Sequence, residues 1–89
     1  MEKKNKYYSL MLFFSESEIG ISGNRNKFVC VKIIHFDNGF NATEAYANTR
    51  CPASQLVGAP TMKELREEET KMLRNFDNPE WVDQLMESL

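Results

Sequence analysis

A chain of 89 residues, 42% apolar and 27% charged, can form one cooperative domain with a modest core and has none of the compositional bias of a disordered protein. Its formal net charge is −2, from 11 Lys/Arg against 13 Asp/Glu, which excludes a dedicated polybasic nucleic-acid arm. Apolar runs fall well short of the ~20 residues that a bilayer-spanning helix needs, so a soluble, cytoplasmic protein with no membrane partner is expected.

Lys3, Lys4 and Lys6 precede an apolar run from Tyr7 to Phe14, the outline of a secretory signal. The run holds two Tyr and a Ser, however, and leads into Ser15-Glu16-Ser17-Glu18 instead of a small-residue cleavage site. It reads better as a strand. Tyr8, Leu10, Leu12 and Phe14 alternate with Tyr7, Met11 and Phe13, so both faces are apolar and the strand should be central and covered on both sides. A polar break and the turn-like Gly23-Asn24-Arg25-Asn26 follow. A second core strand is then predicted from Lys27 to Phe36, with Val29, Val31, Ile33 and His35 on one face and Phe28, Cys30, Ile34 and Phe36 on the other, interrupted by Lys32.

Asn38-Gly39 carries the signal of a type I′ hairpin, whose two central residues both need positive φ, and so predicts a third strand over 40–47. The competing reading is a short helix capped by Asn41, with Glu44 completing a capping box. Residues 48–60 contain Pro52 and Gly58 and read as a connector. Thr61, with Glu64 three residues on, opens a helix over 61–76. Its apolar stripe is Met62, Leu65, Met72, Leu73 and Phe76, broken by Glu69. Asn78-Pro79 stops that helix and starts another over 79–89, whose amphipathic face is Trp81, Val82, Leu85, Met86 and Leu89. The expected architecture is α+β: one domain in which a small antiparallel sheet of about three strands, within 7–47, is packed by one or two C-terminal helices.

Few residues carry chemistry. Cys30 and Cys51 match no zinc or redox spacing, although a disulfide between them is open on sequence alone. A nucleophilic set of Cys51, His35 and Asp37 can be written down, but no local signature surrounds it, and a satisfied strand histidine is the simpler reading. Glu67, Glu68 and Glu69 fan around a helix and read as solvated surface. The scattered glycines fit neither a dinucleotide nor a phosphate loop. No catalytic residue, metal or cofactor is assigned, and the chain is not expected to be an enzyme.

Interaction features remain. A sheet of so few strands leaves edges that can pair with another protein or with a second copy, making a homodimer. Phe76, Trp81, Leu85 and Leu89 form a helix face that either anchors in a partner's groove or docks on the chain's own sheet. A non-enzymatic protein-binding module, a small inhibitor or regulator, is therefore expected. The alternative is a nucleic-acid face in which Arg25, Lys27 and Lys32 contact phosphates and Tyr7, with Tyr8 and Phe28, stacks on bases. Charge distribution weighs against it: residues 61–89 carry four bases and eight acids.

Overall fold

The computed structural model describes residues 4–20, 23, 27–51 and 53–88. In chain order the elements are β1 (Tyr7–Ser15), β2 (Phe28–Phe36), α1 (Gly39–Asn48), β3 (Gln55–Ala59), α2 (Met62–Phe76) and α3 (Pro79–Ser88). The α+β expectation holds, with a three-stranded antiparallel sheet ordered β2-β1-β3. β1 is the central strand and presents apolar residues on both faces.

One face of β1 presents Ser9, Met11 and Phe13. Met11 and Phe13 are fully buried there with Ala53, Phe76 and Val82, and Phe28, Cys30, Val57, Met72, Trp81 and Leu85 close the cluster. Phe76 stacks on Phe13 at a centroid distance of 3.7 Å, and Trp81 meets Phe76 edge-on at 4.8 Å. α2 and α3 therefore cover this face. The other face presents Tyr8, Leu10, Leu12 and Phe14 and carries α1, whose first residue, Gly39, lies against the Tyr8 hydroxyl. Tyr8 also lies over Gly58, its β3 partner. A Cβ on residue 58 would come within 2.9 Å of the Tyr8 ring, so a side chain there is excluded by a neighbour packed between sheet and helix.

Two assignments in the middle of the chain are corrected. The segment 40–47, expected as a strand, is helix α1. Asn38 is extended, at φ −144° and ψ 123°, and its side chain accepts from the amides of Phe40 and Asn41. Neither Asn38 nor Gly39 has the positive φ that a type I′ turn requires. Asn38, not Asn41, caps the helix. The third strand instead lies inside the expected connector 48–60, where Leu56 and Val57 pair with Leu10 and Ser9.

The face assignment in β2 is also corrected. A register shift between Leu12 and Phe13 leaves Val31 opposite no residue, so the alternation changes phase there. Ile33 and His35 consequently join Phe28 and Cys30 on the α2 face, while Lys32, Ile34 and Phe36 face the other way. α2 matches its predicted span, with the Thr61 hydroxyl accepting from the Glu64 amide. α3 begins at Pro79 behind Asn78, whose side chain accepts from the Glu80 amide. Leu89, the expected end of that helix, lies outside the described residues, as does most of the turn 23–26.

Candidate functional site

The sequence-derived residues fall in different places. Phe76 is buried, and the half-buried Trp81 and Leu85 pack against the same cluster. This aromatic face thus packs against the chain's own core. Leu89 and Arg25 lie outside the described residues.

The remaining residues of the basic sheet face do not converge. Tyr7 starts β1, while Lys27 precedes the β2 residue that pairs with Ser15 at its far end, a separation of about 25 Å at strand rise. Lys32 points to the opposite face from Tyr7. Lys27 lies among acids, lining with Glu16, Asp77 and Asp83 a depression of about 570 Å³ at the α2–α3 corner.

The thiols do not assemble a site either. Both are free: Cys30 sits on β2, and Cys51 lies just ahead of β3 on the other side of β1, its Sγ donating to the Phe13 carbonyl. His35 is opposite Ser9, four residues along β1 from Phe13, so Cys51, His35 and Asp37 are not brought together. Burial raises the Cys30 pKa above its ordinary value; a backbone hydrogen bond at Lys32 lowers it, and the Glu69 charge adds a smaller upward push.

His35 instead has a partner that sequence reading passed over. Its Nε2–H donates to Glu69 Oε2 at 2.7 Å, and the Ser9 hydroxyl donates to the same oxygen. Ser9 is 0% exposed. In a nucleophilic relay the imidazole stands between hydroxyl and carboxylate. Here the carboxylate stands between the other two, and the hydroxyl is sealed from solvent. The trio is a clasp between sheet and helix, and it explains why Glu69 occupies a position where the apolar stripe of α2 should continue. Ser9 breaks the apolar face of β1, Glu69 breaks that of α2, and the two polar groups satisfy each other.

The clasp also fixes the direction in which α2, packed chiefly on β3 and β1, runs relative to β2. Glu69 is above His35 and Phe76 is above Phe13, so α2 runs along β1 and antiparallel to β2. From Glu69 to Leu73 is a rise of about 6 Å. From His35 back to Ile33 is about 6.6 Å in the same direction. Leu73 therefore lies level with Ile33 along the sheet, and Val31 lies further along β2 at the bulge. The three are 41%, 36% and 49% exposed, respectively. They form an apolar shelf beside β2, the nine-residue strand whose outer side pairs with no other strand among the described residues.

Around α2 from this shelf, on the side opposite Leu65, Met72 and Phe76, is a shallow, open depression lined by residues of α2 alone. Lys63, Arg66, Lys71 and Arg74 line it against a single carboxylate, Glu67. These are all four bases of residues 61–89. Helical periodicity gathers on one face charges that a linear count averages with the acids of α2 and α3. Among the described residues no three side chains form a metal-holding group, and no helix is long and apolar enough to cross a membrane.

Compared with known proteins, the chain matches no family model, no curated protein and no solved structure.

Proposed function

We propose that this protein is a non-enzymatic protein-binding module, a small regulator or inhibitor, that adds an extended segment of a partner protein as a fourth strand along β2. The observation that carries this reading is the open edge of β2 beside the Val31–Ile33–Leu73 shelf. An edge strand supplies main-chain donors and acceptors for affinity, and adjoining apolar ground receives alternate side chains of the added strand.

Charge favours a different protein over a second copy. In the symmetric pairing that uses all nine residues of β2, Lys32 at the midpoint would face Lys32 of the other copy, an unfavourable cross-strand pair. The Val31 bulge and Lys32 are also the devices by which edge strands resist unselective self-association. A reducing compartment such as the cytoplasm suits two free thiols.

The test compares the tagged wild-type chain with an Ile33→Ser/Leu73→Ser variant in purification from the cell of origin. The proposal expects a stoichiometric protein recovered with the wild type and lost with the variant, while circular dichroism and melting temperature stay close to wild type because both side chains are substantially exposed. Equal recovery by both chains, no partner for either, or recovery of a second copy alone would overturn it.

A further inference from the structure

We infer that the basic face of α2 holds an acidic polypeptide segment of the partner, contiguous with the strand seated on β2; this rests on the protein-binding reading above.

The face lies next to the shelf. Met62 lines the depression and, seven residues before Glu69, belongs to the flank of α2 that looks toward β2. Arg66 is one turn further along. A chain leaving the shelf across α2 thus meets Arg66 first and then Lys63 and Arg74. Lys63, Arg66 and Arg74 form no ion pair among the described residues, whereas Lys71 is 3.3 Å from Glu68. From Lys63 to Arg74 the stripe is about 16 Å long, the length of about five residues of extended chain.

The pattern selects the class of polyanion. Glu67 lies inside the depression, Glu64 and Glu68 occupy the flank away from β2, and the chain as a whole carries −2. A nucleic-acid backbone presents a charge every few ångströms and would oppose those carboxylates at every register. An acidic polypeptide spaces its carboxylates by residue and can set a neutral or basic side chain against Glu67. The occupant is therefore protein, with acidic residues following the apolar strand.

The probe is fluorescently labelled poly-L-glutamate, with a labelled single-stranded oligonucleotide beside it, titrated with the full chain by anisotropy. Binding of polyglutamate is expected to weaken with salt and to fall by about tenfold in Arg66→Glu/Arg74→Glu. It is expected to be unchanged in Glu44→Gln, on the exposed side of α1, all variants being checked for a wild-type melt. Tighter binding of the oligonucleotide, indifference to the charge reversal, or no polyglutamate binding would overturn the inference. If polyglutamate fails while the shelf variant still loses its partner in purification, the strand-addition reading stands and only the acidic segment is wrong. If the shelf variant keeps its partner, that reading is the one that fails.

Discussion

Glu69 shows what single residues reveal and hide. From sequence it is a flaw in an amphipathic stripe, and Ser9 is a flaw in a strand; only the fold shows that each completes the other. Replacing Glu69 by Ala leaves the Ser9 hydroxyl buried without an acceptor and should cost about 1–3 kcal/mol in denaturant unfolding. Because one oxygen serves both donors, Ser9→Ala and Glu69→Ala should be non-additive in a double-mutant cycle. Simple additivity would show that the shared bond contributes nothing. Ser54 is the opposite case: its hydroxyl is buried and finds no partner among the described residues. Ser54→Ala should raise stability, by about 1 kcal/mol, and a loss of stability would reveal an acceptor the present geometry does not contain.

At the scale of elements, the strands and helices set by strong local patterns were legible. β1 was readable from its two apolar faces, β2 from its length, and α2 and α3 from Thr61 and Asn78-Pro79. The segment between β2 and α2 was not, because its signals are ambiguous in one dimension. Asn38-Gly39 serves a hairpin or a helix start equally well, and the choice is made by tertiary packing: α1 buries Ala42 and rests on Tyr8. Asn38→Ala should therefore destabilise by about 1 kcal/mol through loss of the cap, while Asn41→Ala, on the exposed side of α1, should change little. The reverse order would restore Asn41 as the cap.

β3 was hidden for a related reason. A five-residue strand containing a glycine has little pattern of its own, and Gly58 reads as a loop residue until the Tyr8 ring above it is seen. The helix face of α3 was legible as apolar, but its destination was not. Its edge-on contact with Phe76 packs the half-buried Trp81 against the core. Trp81→Ala should cost about 2–4 kcal/mol and lower the melting temperature by roughly 10 °C or more. An unchanged melt would return Trp81 to the surface as a partner anchor.

For the whole molecule, the sequence made the class of fold and the openness of a small sheet readable, but not which edge or which helix face is available. Residues that a chain reading groups together, such as Tyr7, Lys27 and Lys32, are dispersed by a strand's length and by its alternating faces. Residues that it separates, Ile33 with Leu73 and Lys63 with Arg74, are gathered by register and helical phase. The bulge at Val31 matters most here, since without it Ile33 and His35 would face away from α2 and neither clasp nor shelf would exist.

The central claim, that a partner strand is seated along β2, is tested most directly by site-specific photo-crosslinking in the cell of origin. A photoreactive phenylalanine derivative is placed at Val31, and a control is placed at the exposed Glu44 of α1. A discrete adduct with a different protein from position 31, absent from position 44 and abolished by Ile33→Ser/Leu73→Ser, is the predicted result. Adducts of equal strength from both positions, or an adduct only with a second copy of this chain, would contradict it.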